Sequence, residues 1–280
     1  MKKHLYIVYI FLAMAVLTVA GSAMADVDDQ HLVLFKQQAV PSTFASDVTA
    51  LGGQIVYQHH VGIAVVAGLT DDAAAEIAAN RKVIDVQRDD AITLDPPDVE
   101  VYDHVDGKMG PPIDPTDAYF YSRQWNMRAI DADEAWEAKR HGSADVTVAI
   151  LDTGIDYTYP DLDGLVDLSR SISFVPSDDY LVNYYFPDKH YVTDLRYHGT
   201  HVAATVASNA LVAAGVTSKT TLIGVKVCNV NGSCPFSSII AGVLHAADSG
   251  ADIANMSLGG SFMRPESEGL IGFIARTFNY

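Results

Sequence analysis

The spacing of hydrophobic positions after residue 30 predicts a small α+β unit. Short β-rich runs at residues 31–36, 54–57, 62–67 and 83–86 alternate with two helical patterns. The first helical pattern places Phe44, Val48 and Leu51 on one face, and the second begins after Thr70, a residue type that caps helices. The resulting order, β-α-β-β-α-β, is that of a ferredoxin-like unit.

From residue 123 onward the pattern predicts a different architecture. Residues 145–151 and 221–228 are nearly continuous apolar runs, as expected for strands that are buried on both faces. Residues 237–247 place their apolar side chains on one helical face, and residues 252–256 form a third strand. Alternating strands and helices predict an α/β fold, with a parallel sheet and flanking helices. Residues 269–280 have helical spacing, and we expect the chain to stop within that helix.

Two segments of biased composition flank the N-terminal unit. Residues 1–25 combine two lysines, an apolar run and the motif Ala23-Met-Ala25, which predicts a secretory signal peptide cleaved before Asp26. A membrane anchor is the alternative, but a span requires roughly 20 apolar residues. Residues 95–122 are rich in Pro and Asp and predict an exposed linker. The predicted domains are therefore 1–25, 26–94, 95–122 and 123–280.

Charge and cysteine content narrow the classes of function. The formal net charge of −17 argues against a nucleic-acid partner, because phosphate binding requires clustered Lys and Arg. Cys228 and Cys234 flank the turn-forming pair Asn231-Gly232, and export would permit a disulfide between them. Two free thiols are the alternative. No Cys/His cluster has the spacing of zinc ligands, so no metal site is predicted.

Three short blocks carry residue types that suit catalysis. Asp152 ends the first buried strand, at the edge where open α/β sheets place their sites, although it could also cap the next element. His198 begins a run of small residues that predicts a tightly packed helix, where a carboxylate could orient a basic imidazole. His201 lacks a third metal ligand nearby and is expected to make a buried structural contact. Gly259 and Gly260 would let a substrate backbone approach, or would simply form a turn.

Together and in this order, these blocks resemble the subtilisin-like serine proteases, or subtilases. The matching blocks are Val148-Ala-Ile-Leu-Asp-Thr-Gly-Ile-Asp156, His198-Gly-Thr-His-Val-Ala203 and Asn255-Met-Ser-Leu-Gly-Gly260. Supporting matches are Gln124-Trp125-Asn126, Ala135-Trp136 and Gly224-Val-Lys-Val227. Residues 31–92 resemble the propeptide of the family, which is an inhibitor and a folding chaperone.

The resemblance implies a secreted serine endopeptidase that hydrolyses peptide bonds in proteins with an Asp/His/Ser triad. Asp152 would orient the imidazole and His198 would be the general base. The residues implied to bind the substrate backbone are Ser257, Leu258 and Gly259. The two cysteines would brace the loop beside the cleft. The expected form is a monomeric zymogen that is inhibited by its own propeptide, acts on polypeptides and requires no certain cofactor.

The chain departs from the family pattern where the nucleophile belongs. The Gly-Thr-Ser-Met-Ala block and the oxyanion-hole Asn of the family lie downstream of Ser-Leu-Gly-Gly, and neither occurs in the 280 residues. We therefore expect a C-terminally truncated chain that is inactive as it stands. Residues 209–215 are shorter than the calcium-binding loop of some subtilases, so structural calcium has no support from the sequence.

Two other functions remain open from the sequence. Asp152-Thr-Gly154 and Asp248-Ser-Gly250 match the paired loops of aspartic proteases, but that fold is nearly all β and leaves His198 unexplained. A pseudoprotease or peptide-binding module would use the same surface for binding alone.

Overall fold

The computed structural model describes residues 29–95, 114–260 and 264–280. The predicted signal peptide and residues 96–113 of the predicted linker lie outside the described residues. The described residues form two packed units, which we call the N-terminal unit (residues 29–95) and the C-terminal unit (residues 114–260 and 264–280).

The N-terminal unit is an antiparallel sheet with two helices. Its elements are β1 (Gln30–Phe35), α1 (Phe44–Ala50), β2 (Gln54–His59), β3 (Ile63–Ala67), α2 (Asp71–Ala78) and β4 (Val83–Arg88). The strands pair in the order β2-β3-β1-β4, so the predicted β-α-β-β-α-β order is confirmed. The hydroxyl of Thr70 accepts a hydrogen bond from the Ala73 N–H and caps α2, as the sequence predicts.

The C-terminal unit is built on a parallel sheet with flanking helices, which confirms the predicted α/β fold. In chain order its elements are α3 (Trp125–Ala129), α4 (Ala132–Glu137), β6 (Thr147–Asp152), β7 (Ile172–Ser173), α5 (Pro176–Tyr185), α6 (His198–Val206), β8 (Thr221–Lys226), β9 (Ser233–Pro235), α7 (Phe236–Asp248), β10 (Ile253–Asn255) and α8 (Arg264–Phe278). The parallel strands lie in the order β10-β6-β8-β7. Strand β5 (Ala91–Thr93), at the end of the N-terminal unit, pairs with β9.

The sheet of the N-terminal unit is covered on both faces. Alternate side chains of β1, such as Val33 and Phe35, pack beneath α1 and α2. The intervening side chains, Leu32 and Leu34, share a core with α7 and with Phe273 of α8. Because side chains alternate across a strand, β1 buries both of its faces only when the two units are docked.

Two predictions from the sequence are wrong, one about the end of the linker and one about the end of the last helix. Residues 114–122, expected to be exposed linker, form turns that pack on the C-terminal unit: Ala118 is buried, and the Phe120 N–H donates to the Val212 carbonyl at 2.9 Å. Helix α8 ends at Phe278, although helical spacing was expected to continue to the last residue. The side chain of Asn279 folds back to donate to the Ala275 carbonyl at 2.7 Å, which closes the last turn.

Candidate active site

Asp152 and His198 are brought together by the parallel sheet. The Nδ1 atom of His198 lies 2.7 Å from Oδ1 of Asp152. Asp152 is completely buried, and its carboxylate also accepts the Thr153 N–H at 2.7 Å. Burial raises the pKa of the Asp152 carboxyl, while the hydrogen bonds from His198 and Thr153 act in the opposite direction. A buried carboxylate paired with a partly exposed imidazole can orient that ring and stabilise its protonated form.

Local packing fixes both residues. The Asp152 carbonyl ends β6 and accepts the N–H groups of Val227 and Cys228 at 2.9 and 3.2 Å, which ties it to the end of β8. Helix α6 begins at His198 and approaches so closely that a Cβ on Gly199 would collide with the Gly154 carbonyl. Only glycine allows this contact between the helix and the loop after Asp152.

A second carboxylate, which the sequence motifs did not indicate, holds the Asp152 and His198 blocks together. Asp194 accepts the hydroxyls of Thr153 (2.9 Å) and Thr200 (2.6 Å) and the N–H groups of Arg196 and Thr200 (both 2.9 Å). The Thr153 hydroxyl in turn accepts the Gly199 N–H at 2.9 Å. The two threonines lie inside the recognised motifs. Asp194 lies in no motif, and only the fold shows that it is their common partner.

Two residues close to His198 in the chain depart from what the sequence indicated. His201 differs from the expected burial, and Tyr197 differs from the family pattern. His201 is exposed, so the expected buried contact is wrong; α6 instead turns Gly199 and Ala203 towards the core. Tyr197, where Gly is common in subtilases, adopts the left-handed conformation with φ of 64°. A non-glycine residue in that conformation is strained, and Tyr197 stores this strain directly before His198.

The segment 209–215 is held by a buried carboxylate. Asp161 is 1% exposed and accepts the N–H groups of Leu211 (2.6 Å), Val212 (3.0 Å) and Ala213 (2.9 Å). These donors occupy the carboxylate oxygens. Across the described ranges 29–95, 114–260 and 264–280, no group of three His, Cys, Asp or Glu side chains is arranged to hold a metal ion.

The two cysteines form the predicted disulfide, Cys228–Cys234, and both are fully buried. The bridge closes a turn between the end of β8 and β9, next to the carbonyl of Asp152. The alternative of free thiols is wrong.

Strand β5 pairs with β9, and its Ile92 lines one cavity together with Met256 and Leu258. We call the surface formed by β9 and this cavity the strand groove. Ile92 of β5 pairs with Cys234 in antiparallel register, and the Leu94 N–H donates to the Gly232 carbonyl at 2.8 Å. The cavity that Ile92 lines has a volume of about 230 Å³, and its walls also include Phe236 and Leu258. Of the three residues implied to bind substrate, Leu258 lines this cavity, whereas Ser257 and Gly259 are exposed.

The paired Asp loops of an aspartic protease are not brought together. Asp248 lies at the end of α7, where its carboxylate contacts His59 Nε2 at 2.9 Å and accepts the Tyr280 hydroxyl at 2.6 Å. Asp152 pairs with a histidine instead. The geometry therefore does not support an aspartic dyad.

The amino-acid sequence is similar to known proteases. Residues 143–276 match the subtilase family. The chain is 38% identical over 148 residues to the thermophilic serine proteinase of Bacillus sp. (strain AK1), covering 52% of this chain and 33% of that protein. It is 30% identical over 271 residues to subtilisin E of Bacillus subtilis (strain 168), covering 92% of this chain and 61% of that protein. The chain thus spans less than two thirds of these relatives' lengths.

Solved structures share the fold. The epidermin leader peptide processing serine protease of Staphylococcus aureus matches with a TM-score of 0.64 at 19% identity, covering 89% of this chain and 57% of that chain. Fervidolysin from Fervidobacterium pennivorans, a keratinolytic enzyme related to subtilisin, matches with a TM-score of 0.60 at 22% identity, covering 89% and 38%. Each match covers 89% of this chain, so it includes residues outside the C-terminal unit.

Proposed function

We propose that the chain, whose residues 143–276 match the subtilase family, is part of a secreted serine endopeptidase precursor that hydrolyses peptide bonds in polypeptides. The observation that carries this proposal is the 2.7 Å contact between His198 Nδ1 and the buried Asp152 carboxylate. In the proposed site Asp152 orients the ring and His198 is the general base.

The proposed mechanism follows from the orientation of the imidazole. Donation of the Nδ1–H to Asp152 leaves Nε2 free to accept the proton of a serine hydroxyl as that oxygen attacks a peptide carbonyl. Protonated His198 is stabilised by the adjacent carboxylate and then returns the proton to the leaving amine. The strand groove holds the polypeptide by main-chain pairing, as it holds β5.

The nucleophile is not among these 280 residues in the proposed mechanism. No hydroxyl or thiol of the residues that the structure describes hydrogen-bonds to the His198 ring, and no Gly-Thr-Ser sequence occurs. We therefore infer that a protein made of these residues alone is inactive. Sequencing the gene beyond the codon for Tyr280 tests the assignment: an in-frame Gly-Thr-Ser-x-Ala supports the protease. An authentic stop, with this product present in cells, would favour a peptide-binding module.

Secretion forms part of the proposal. No helix within the described residues is long and apolar enough to cross a membrane. The signal peptide proposed for residues 1–25 has the lysine-rich start, apolar run and Ala-x-Ala motif of an exported precursor. We propose that the mature protein is monomeric, with neither membrane nor nucleic acid as a partner.

The N-terminal unit is, in this proposal, an inhibitory propeptide. Its last strand occupies the strand groove, and the Leu94 N–H donates to the Gly232 carbonyl, as a substrate main chain would. One face of its sheet packs on α7 and α8. The unit therefore blocks the surface on which a substrate would pair with β9.

Residues 26–95, prepared as a separate polypeptide, are expected to inhibit a complete homologous subtilase at micromolar concentration. Ile92→Asp should weaken inhibition at least tenfold, because it would place a carboxylate in the apolar wall of the cavity beside β9. Ile84→Asp is the matched control, since Ile84 is 52% exposed. Inhibition constants from a peptide-substrate assay, with circular dichroism to verify folding, check the result. A folded segment that fails to inhibit would contradict the propeptide role.

Docking of the N-terminal unit should depend on pH through Asp89. This carboxyl is 6% exposed and accepts the Ser237 N–H at 3.0 Å, at the start of α7. Burial raises its pKa to about 6 from 3.8, against the lowering effect of the Ser237 hydrogen bonds. A raised pKa means that the docked state favours the protonated form, so the stability it contributes is complete below pH 3.8 and is lost as pH rises through 6.

Between about pH 4 and about pH 7, the chain is expected to lose about 2 kcal/mol more unfolding free energy than Asp89→Asn, which cannot titrate. The Asn carbonyl oxygen can still accept the Ser237 N–H, so the variant is a close structural match. Urea unfolding at the two pH values measures the difference. Identical pH dependence of both proteins would exclude Asp89 as the titrating group.

A further inference from the structure

The side chain of Arg196 joins two separate segments beside the candidate active site. Its Nη2 donates to the carbonyl oxygens of Leu94 (3.2 Å) and Asp95 (3.4 Å), where β5 leaves the strand groove. Its Nη1 donates to the Val230 carbonyl at 3.1 Å, within the turn closed by the disulfide. The Asp194 carboxylate accepts the Arg196 main-chain N–H and so fixes where the side chain starts.

Within the described residues, the cationic guanidinium of Arg196 donates its hydrogen bonds to carbonyl oxygens. Among the residues that the structure describes, no ion pair involves Arg196. Its Nε is buried without a hydrogen-bond partner. The plane lies against Gly232, where an added Cβ would be 2.9 Å from the Arg196 Cζ. A charged donor makes stronger hydrogen bonds to carbonyl oxygens than a neutral donor does.

We propose that Arg196 is a positioning residue that grips the main chain of a polypeptide lying in the strand groove and sets its register relative to His198, two residues further along the chain. In the structure the polypeptide is β5, and in the proposed protease it is also the substrate, so the inference rests on the proposed function. Because every peptide carries these carbonyl oxygens, the contact selects extended polypeptides without reading their side chains.

The fork geometry of the guanidinium is essential to this role. Separate Nη atoms reach the strand and the disulfide-closed turn at the same time. A lysine ammonium is a single point on a flexible stem and cannot span both segments in a fixed geometry. Arg196→Lys therefore keeps the charge but should lose most of the grip.

Amide hydrogen exchange at Leu94 in the full 280-residue chain tests the proposal. The Leu94 N–H is bonded to the Gly232 carbonyl at 2.8 Å, so its exchange reports release of the strand. Arg196→Ala and Arg196→Lys are expected to accelerate this exchange about tenfold or more, the effect of losing charge-assisted hydrogen bonds. Exchange of the β1 and β3 amides should not change, because Arg196 contacts neither strand.

Two controls separate gripping from general support of the turn. Arg128→Ala removes another arginine that donates to a backbone carbonyl, that of Tyr121 at 3.0 Å. Asn229→Ala loosens the turn itself, because the Asn229 side chain accepts the N–H groups of Asn231 (2.9 Å) and Ser233 (3.0 Å). Arg128→Ala is not expected to accelerate Leu94 exchange. Asn229→Ala loosens the turn that carries Gly232, the acceptor of the Leu94 N–H, and is expected to accelerate this exchange less than Arg196→Ala does.

Three results would overturn the proposal: unchanged Leu94 exchange in Arg196→Ala, equal acceleration by Asn229→Ala, or full protection in Arg196→Lys. The second result would show that Arg196 only stabilises the turn. The third would show that a positive charge alone is enough to protect the Leu94 amide. The readout requires no turnover. The downstream gene sequence tests the proposed protease function, and Leu94 exchange tests the role of Arg196. If the gene sequence contradicts the protease function, the exchange result still stands on its own.

Discussion

Purified 280-residue chain is expected to show no covalent labelling by a fluorophosphonate probe. Such probes react with a serine hydroxyl that a neighbouring histidine activates. Asp152 and His198 are correctly paired at 2.7 Å, but no hydroxyl within the described residues contacts the imidazole. Loss of the triad serine costs on the order of 10⁶ in rate, so labelling should stay at background.

The labelling experiment needs a positive control and a background control. A complete subtilisin treated in parallel supplies the positive signal, and His198→Ala of the 280-residue chain supplies the background. Labelling of the unaltered chain above that of His198→Ala would contradict the inference, because it would show that a serine within these residues is activated by the imidazole.

Lys226→Ala is expected to lower the unfolding free energy of the C-terminal unit by about 3–5 kcal/mol. Lys226 is fully buried at the end of β8, where its Nζ donates to the Thr193 carbonyl at 2.6 Å and to Asp178 Oδ2 at 3.3 Å. Asp178 is also fully buried. Removal of the ammonium leaves the Asp178 carboxyl group buried without its cationic partner, which is far more costly than loss of a surface pair.

The stability measurement can use the fluorescence of Trp136, which is 3% exposed in the C-terminal unit. Lys219→Ala is the matched control, since Lys219 is exposed and such substitutions usually change stability by less than about 0.5 kcal/mol. The double variant Lys226→Met with Asp178→Asn should recover part of the loss, because neither member of the buried pair then carries a charge. Equal midpoints for Lys226→Ala and Lys219→Ala would disprove a stabilising role for the buried pair.

Much of the fold could be predicted because the signals are local. Strand β6 is a nearly continuous apolar run because it is buried along its whole length, and α2 follows a capping threonine. The pairing of Asp152 with His198 followed from recognised blocks, and the structure places the two side chains in contact. The disulfide could also be predicted from the sequence, because Cys228 and Cys234 flank a short turn.

Other features depend on contacts between distant residues, which no local pattern encodes. Asp194 carries no motif, yet four hydrogen bonds converge on it from the Asp152 and His198 blocks and from Arg196. Residues 114–122 have the composition of a linker but pack against the loop that Asp161 holds. The exposure of His201 depends on which face of α6 meets the sheet.

By itself, the sequence determined which elements form and which residue types carry the chemistry, because periodicity, caps and short motifs act within a few residues. The tertiary structure alone decided how the N-terminal unit docks: β5 enters the strand groove, Asp89 meets the start of α7, and Arg196 grips the departing strand. These contacts join residues about 100 or more positions apart, and they exist only once the sheet of the N-terminal unit packs one of its faces on α7 and α8.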